Sequence, residues 1–184
     1  MRPKLTANEM KWFVVRVPFC RELKLQKALD EANVISFIPT KTVYKEKDGS
    51  RTSETIPVIH NLIFIYTTRN NLKCYKEQFQ DSIPFRYIID KSKNAPLIVP
   101  DKQMDSFMRV CRSNCDDLIF LDDNINKHCV PGQLVRVLDG PFKDVEGYVV
   151  RIRKDRRVVV NIKGIGAVAT TYIDSSLLYK LNTQ

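Results

Sequence analysis

The order of apolar and polar positions in the first part of the chain predicts a domain of mixed strands and helices. The aromatic and β-branched run Lys11–Val17 indicates a strand that stops at Pro18. Residues 20–34 then place their apolar side chains at helical spacing, with charged residues between them. This stretch therefore predicts an amphipathic helix directly after the first strand.

The next apolar runs continue the alternation of strands and helices. Strand-like residues flank Asp48-Gly49, a strong hairpin signal, and the apolar run Asn61–Tyr66 predicts a central strand. Residues 70–79 predict a short helix, residues 85–90 a strand, and a second clear helix ends at Cys111. The order β-α-β-β-β-α-β-α is typical of an α+β domain, an antiparallel sheet with helices packed on it.

Beyond Cys111 the pattern changes twice. Residues 112–130 show no sustained period and carry paired aspartates, which indicates a linker whose apolar part, 118–121, could dock on a domain. From Pro131 onward four short β runs and tight turns follow within about fifty residues, which is typical of a small SH3-like barrel. We therefore predict an N-terminal extension (1–10), an α+β domain (11–111), a linker (112–130) and an all-β barrel (131–184).

The charge of the chain favours a polyanionic partner. The formal net charge is +9 and the pI is about 9.4. Residues 1–110 carry seven more basic than acidic residues and residues 131–184 carry four more, whereas the intervening stretch is slightly acidic. Nucleic acid is the polyanion that such a distribution most favours.

The sequence predicts neither an enzyme nor a metal protein. Five cysteines at irregular spacing argue against a disulfide framework, and the set Cys111, Cys115, His128 and Cys129 has poor spacing for zinc. No nucleophile, base and orienting group are spaced as in a catalytic site, and we expect no cofactor. No segment has the length of a signal sequence core or a membrane span, so we expect a cytoplasmic protein with free thiols.

Two segments resemble one known family. The stretch Pro131–Ile152, "PGQLVRVLDGPFKDVEGYVVRI", resembles a KOW motif, in which a glycine begins the second strand. Trp12-Phe13, Pro39-Thr40 and the segment Ala95–Pro100 resemble the N-terminal (NGN) domain of the NusG family, in the same order. The C-terminal part is most similar to the specialised UpxY-type paralogs of Bacteroidetes, which are associated with surface-polysaccharide operons. The residues of the KOW motif are Gly132, Asp139, Gly140, Pro141, Phe142 and Gly147.

The resemblance implies a transcription elongation and antitermination factor. It would bind RNA polymerase at the β′ clamp helices as a monomer, suppress pausing and promote readthrough of long operons. The KOW domain would bind a ribosomal protein, the termination factor Rho or a dedicated regulator, and the N-terminal domain would meet non-template DNA or a nascent RNA leader. Two alternatives stay open: a housekeeping NusG that acts with Rho, and a KOW-type protein that binds RNA or the ribosome.

The resemblance also implies roles for particular residues. Of the family's Phe-Pro-Gly/Asn-Tyr motif, only the Asn position is matched here, by Asn61. The implied polymerase-binding set is Ile59, His60, Asn61, Leu62, Phe64, Phe85, Tyr87 and Ile88. The implied nucleic-acid-binding set is Arg16, Arg21, Lys24 and Lys27. The two lysines are three residues apart and so share a helix face. That these residues only form a solvated helix face is an equally good interpretation.

Two basic turns are further candidates. The hairpin tip Lys45–Arg51 either approaches the polymerase or is plain exposed hairpin. The second candidate is a dense basic hairpin on the barrel. It either binds RNA or an acidic protein surface, or is only a solvent-exposed turn. Its residues are Arg151, Arg153, Lys154, Arg156 and Arg157.

One family relative stores its C-terminal domain as a helical hairpin. Here the runs "RRVVVNI" and "AVATTYI" are rich in β-branched residues, and Gly164 and Gly166 would weaken a helix. We therefore expect a β barrel at rest.

Overall fold

The chain divides into two compact units, residues 1–100 and 101–184. The structure, a computed structural model, describes residues 8–47, 50–113, 115, 117–122, 132–152 and 154–181. The turn Asp48-Gly49 and the residues Arg153, His128 and Cys129 lie outside the described residues.

The described residues of the N-terminal unit form two α-helices and nine strands. They are β1 (Lys11–Arg16), α1 (Glu22–Glu31), β2 (Ser36–Phe37), β3 (Thr40–Lys47), β4 (Ser50–Pro57), β5 (Leu62–Thr67), α2 (Arg69–Gln78), β6 (Arg86–Tyr87), β7 (Ile89–Asp90), β8 (Ala95–Pro96) and β9 (Ile98–Val99). The main antiparallel sheet has the order β2-β5-β1-β6, and β9 also pairs with β1. The predicted central strand is therefore confirmed, since β5 pairs on both sides.

Both helices of this unit pack on one face of the sheet. Alternate side chains of β1 and β5, such as Phe13 and Ile63, form a buried core with Leu25 and Leu29 of α1 and Leu72 of α2. The apolar stripe read from the sequence of α1 thus covers the sheet as expected. A turn of 3-10 helix at Pro18–Cys20 connects β1 to α1 and ends the strand where Pro18 predicts it.

Two parts of this unit pair wholly or partly outside the main sheet. Strands β3 and β4 form a separate two-stranded hairpin with eight paired positions. The run predicted as one strand, 85–90, is broken at Ile88. Its first half pairs with β1 and its second half pairs with β8, so the pairing partner changes at this residue.

The C-terminal unit is dominated by one antiparallel sheet. Its elements are α3 (Asp101–Cys111), β10 (Ile119–Asp122), β11 (Leu134–Val137), β12 (Glu146–Ile152), β13 (Asp155–Ile162), β14 (Gly166–Ala169) and β15 (Leu178–Lys180). The strand order is β10-β14-β13-β12-β11-β15. The expected α+β domain followed by a small all-β region is confirmed. Of the two runs considered for a helical hairpin, 156–162 lies in β13 and the first part of 167–173 lies in β14, and neither run is helical.

Two segments in this unit differ from the sequence-based division. Strand β10 lies in the predicted linker, yet it pairs with β14 and buries Leu121, so the apolar part of the linker does dock. Helix α3 belongs to the same compact unit as the barrel, although the sequence groups it with the first domain. The Ser106 hydroxyl accepts a hydrogen bond from the Glu146 amide at 3.0 Å, a contact that helical periodicity does not predict.

Candidate functional site

Asn61, just before β5, organises the loop between β1 and α1. Its backbone has a φ of 61°, a left-handed conformation that asparagine tolerates better than most residues. Its side-chain oxygen accepts from the Cys20 amide at 2.8 Å, and its carbonyl accepts from the Val17 amide at 2.9 Å. Its own amide donates to the buried Glu22 carboxylate at 3.2 Å. Asn61 therefore ties the start of β5 to the loop that precedes α1.

The loop held in this way exposes an aromatic side chain. Phe19 has φ 62° and ψ 31°, Cys20 has φ 52°, and the Phe19 side chain is 80% exposed. The Arg21 guanidinium carbon lies 5.6 Å from the centre of the Phe19 ring. Sequence reasoning missed Phe19; the signal was an aromatic residue between the strand-stopping Pro18 and a cysteine, with no apolar periodicity around it.

Basic residues precede and follow this loop in the sequence. Arg16, Arg21, Lys24 and Lys27, the set implied as nucleic-acid-binding, are all exposed. The strand register adds Arg86, which lies directly opposite Arg16 on β6 and is also exposed. Like charges at opposed positions of an antiparallel pair repel each other. Among the described residues, no ion pair to an acidic side chain involves Arg16, Arg21 or Arg86.

The implied polymerase-binding set does not form one continuous surface. Leu62 and Phe64 are buried on the face of β5 opposite Ile63 and Ile65, and Phe85 packs into the helix-side core. The exposed or partly exposed members are Ile59, His60, Asn61, Tyr87 and Ile88. A docking role for the whole set stays a prediction; of its accessible members, Asn61 bonds the loop before α1.

Tyr87 lies at the border between the core and the surface. The Lys76 ammonium is 4.6 Å from the centre of its ring. Burial, and after it the Glu77 carboxylate, raises the pKa of the Tyr87 hydroxyl. The raised pKa favours the neutral phenol, and the ring packs against the edge of the helix-side core.

The KOW residues have distinct structural roles. A methyl group added at Gly147 would lie 2.6 Å from the Val159 carbonyl oxygen, so close packing, and not a positive φ, requires this glycine. Added at Gly132, it would collide with the Val149 carbonyl. Gly140 has a φ of 84° in the turn beside Asp139 and Pro141, and the adjacent Phe142 is buried.

The basic hairpin on the barrel is smaller than the sequence suggests. Arg151 and Lys154 are exposed and Arg156 is partly exposed, but Arg157 is only 3% exposed. Its guanidinium donates to the Asp117 carboxylate and carbonyl at 2.6 and 2.7 Å, and to the Thr170 carbonyl at 3.0 Å. Including Arg157 in an exposed partner surface was therefore wrong, since this side chain has a structural role.

In the other basic turn, one positive charge is paired with a carboxylate and another lies over an aromatic ring. In the β3–β4 hairpin, Lys45 forms an ion pair with Glu54, and Arg51 lies 4.4 Å above the Tyr44 ring. Both strands of the hairpin are exposed along most of their length. Its geometry fits a projecting arm, and an approach to the polymerase stays a prediction.

Neither a cluster of metal-ligating side chains nor a membrane-spanning helix occurs in the described residues. No group of three or more His, Cys, Asp or Glu side chains there is arranged to hold a metal ion. None of the described helices is long and apolar enough to cross a membrane.

Comparison with known proteins identifies the family. A solved structure titled "Domain interaction in Thermotoga maritima NusG" is similar over 95% of this chain and 98% of that chain, with 19% sequence identity and a TM-score of 0.46. No curated protein matches the chain. The family model described as "Transcription termination factor nusG" matches residues 10–108, more than half of the chain. The chain therefore belongs to the NusG family of transcription factors.

Proposed function

We propose that the chain is a transcription elongation and antitermination factor. Its N-terminal unit binds RNA polymerase at the β′ clamp helices, suppresses pausing and promotes readthrough of long operons, including those for surface polysaccharides. The observation that carries the proposal is the family match over residues 10–108, because NusG family factors bind RNA polymerase. The site of action is then the cytoplasm, where the polymerase is.

The surface of the N-terminal unit supports this assignment. The accessible residues Ile59 and His60 lead in sequence to Asn61, which bonds the Cys20 and Val17 amides of the loop before α1, so a contact with protein and a contact with nucleic acid would adjoin each other there. A factor that rides on a transcription complex meets both kinds of surface together. A catalytic role has no support, since the NusG family is one of transcription factors and not of enzymes.

The barrel supplies a second binding surface. Leu138, Tyr148 and Tyr179 are exposed there, and Tyr179 lies opposite Arg136 in the sheet register. Tyrosine and arginine are residue types enriched at protein interfaces. A ribosomal protein, Rho or a dedicated regulator would bind this surface and connect the transcription complex to translation or termination.

The decisive experiment is in vitro transcription with the host polymerase through a terminator, with and without the full chain. The proposal expects more full-length RNA, and it expects Ile59→Asp to lower both polymerase binding and readthrough. Ile35→Ala, which changes a 60% exposed residue elsewhere in the unit, is the matched control. Increased termination in the presence of Rho would indicate the housekeeping alternative. RNA binding without polymerase binding would indicate a KOW-type RNA-binding protein.

A further inference from the structure

We propose that the outer edge of β14, which faces away from β13, binds an extended segment of a partner protein, and that β10 is a strap that fills this edge in the resting chain. The partner segment carries an acidic residue two positions before the first of two alternate apolar residues, as Asp117 stands before Ile119 and Leu121. The inference goes beyond the proposed function, because it concerns a sheet edge and not the exposed tyrosines of the barrel, and because occupation of this edge needs no polymerase.

The first argument is that β10 is an addition to the barrel. It comes from the predicted linker, lies at one end of the sheet order and pairs with β14 over only four positions. Of its residues whose burial is described, only Leu121 is buried, whereas every residue of β14 is buried. An element with few buried contacts opens at a lower free energy than the core beside it. The strap can therefore leave the barrel while β14 stays in place.

The second argument is the backbone of β14. Successive amides of a strand in an antiparallel sheet point to its two neighbours in turn. The Thr170 amide donates to the Val158 carbonyl of β13 at 3.0 Å, so the Ala169 and Ala167 amides face β10. Without β10 these donors would lie at an open sheet edge, which is a template for another strand. An extended segment is therefore the class of ligand that this edge accepts.

The third argument is the apolar row that β10 fills. Ile119 lies opposite Ala169, and Leu121 lies opposite Ala167. Side chains two positions apart share one face of a strand, and opposed side chains on that face pack together. Both large side chains pack in one apolar cluster with the two alanines, and that cluster also contains Val150, Ile152 and Val159. A partner segment therefore needs large apolar side chains at two alternate positions.

The fourth argument is charge, and it selects an acidic segment. Arg157 is 3% exposed, and its guanidinium donates to the Asp117 carboxylate at 2.6 Å and to the Asp117 carbonyl at 2.7 Å. When Asp117 leaves with the strap, the Thr170 carbonyl at 3.0 Å and the Asp155 carboxylate at 3.7 Å remain near this cation. A buried cation that loses its main partner is unfavourable. The open edge therefore favours a segment that returns a carboxylate to the position of Asp117.

Hydrogen exchange of the full wild-type chain, resolved by residue with NMR, tests whether the strap opens by itself. The Ala167 and Ala169 amides should exchange about 10-fold or more faster than the Val168 and Thr170 amides, because opening of β10 releases only the first pair. Equal rates for the two pairs would overturn the proposal, since β10 would then be an integral strand of the sheet.

The probe for the partner is a fluorescent synthetic peptide, DDLIFLDD, which repeats residues 116–123. Leu121→Asp removes the buried anchor of the strap, so the full-length variant should bind the peptide about 10-fold or more tightly than the wild type does. A peptide with asparagine in place of the second aspartate should bind about 10-fold more weakly. The peptide LIDDDDFL has the same composition without the acidic and apolar spacing, and it should not bind.

A second variant locks the strap and does not depend on the folding of Leu121→Asp. Phe120→Cys combined with Val168→Cys places two thiols at directly opposed positions. Because the Ala167 and Ala169 amides face β10, this pair lies between hydrogen-bonded pairs, where Cα atoms are about 4.5 Å apart and a disulfide fits. The oxidised variant should bind no peptide, and reduction should restore wild-type binding.

Three results would contradict the proposal. Equal peptide binding by the oxidised and reduced lock is one, and no binding by Leu121→Asp whose Val168 and Thr170 amides stay protected is another. A dimer of the wild-type chain that Leu121→Asp abolishes is the third, because the occupant would then be a second copy of the chain. These assays contain no polymerase, so their failure and the failure of the transcription proposal are observed separately.

Discussion

Replacing Asp117 by alanine removes one end of an ion pair that anchors the segment before β10 to the barrel. The Arg157 guanidinium is 3% exposed and donates to the Asp117 carboxylate at 2.6 Å. The alanine variant keeps the Asp117 carbonyl and the Thr170 carbonyl as acceptors, so one of three hydrogen bonds is lost. The buried Nε of Arg157 already has no hydrogen-bond partner among the described residues, which limits how the guanidinium can compensate.

The size of the effect follows from where the two groups lie. A hydrogen bond to a charged group contributes about 1.5–3 kcal/mol to stability. Because the Asp117 side chain is 64% exposed, water replaces part of the interaction, and we expect a loss of about 2 kcal/mol. Asp155 is the matched control: its carboxylate lies 3.7 Å from the same guanidinium and is 53% exposed, so Asp155→Ala should cost about 0–1 kcal/mol.

Hydrogen exchange measured peptide by peptide is the suitable assay, because two compact units need not unfold together. A loss of about 2 kcal/mol corresponds to roughly 30-fold faster exchange of the β13 and β14 amides. The Thr170 amide, bonded to the Val158 carbonyl, is a direct reporter. Fluorescence of Trp12, the single tryptophan, monitors the N-terminal unit independently. Equal exchange rates in Asp117→Ala and Asp155→Ala would refute the reasoning.

Three further predictions concern other parts of the chain. Glu22→Ala leaves the Asn61 amide without its acceptor and should lower the stability of the N-terminal unit by about 2 kcal/mol or more, measured by urea unfolding with tryptophan fluorescence. Gly147→Ala forces a methyl group onto a carbonyl and should lower the stability of the C-terminal unit by more than about 3 kcal/mol. Gly164→Ala, in open space at φ 79°, should lower it by about 1 kcal/mol. Hydrogen exchange of the β13 and β14 amides measures both changes. Burial raises the pKa of the Cys111 thiol to about 12, so Cys111 should resist alkylation at about pH 8 while the exposed Cys74 reacts, as peptide mass spectrometry would show.

Each of these predictions has a distinct contrary result. Unchanged unfolding of Glu22→Ala would mean that the Asn61 hydrogen bond adds nothing. Equal costs at the two glycines would remove the close-packing explanation. Alkylation of Cys111 as fast as that of Cys74 in the native chain would show that its thiol is not desolvated.

Much of the N-terminal fold was readable from local pattern. The apolar positions of α1 and the β-branched runs of β1 and β5 specify these elements because side-chain period decides which face is buried. The β-rich composition of β13 and β14 likewise predicted strands. The break at Ile88 could not be predicted from the sequence, because it arises from a change of pairing partner and leaves no local signal.

The candidate site could be predicted only in part from the sequence. Basic residues on α1 are visible in the sequence, but the pairing of Arg16 with Arg86 depends on strand register. The exposure of Phe19 depends on Asn61, which lies far along the chain. In the opposite direction, Arg157 looks in sequence like one more surface charge, and the fold buries it beside Asp117.

The sequence by itself determined the elements, the all-β character of the C-terminal part and the motifs that indicate the NusG family, because these depend on residues close together in the chain. The tertiary structure alone decided that Arg157 is buried against Asp117, that β10 pairs with β14 and that the Phe19 ring is held in solvent. These features depend on groups that are distant in sequence. Their contacts form only when the sheets assemble, so no local pattern encodes them.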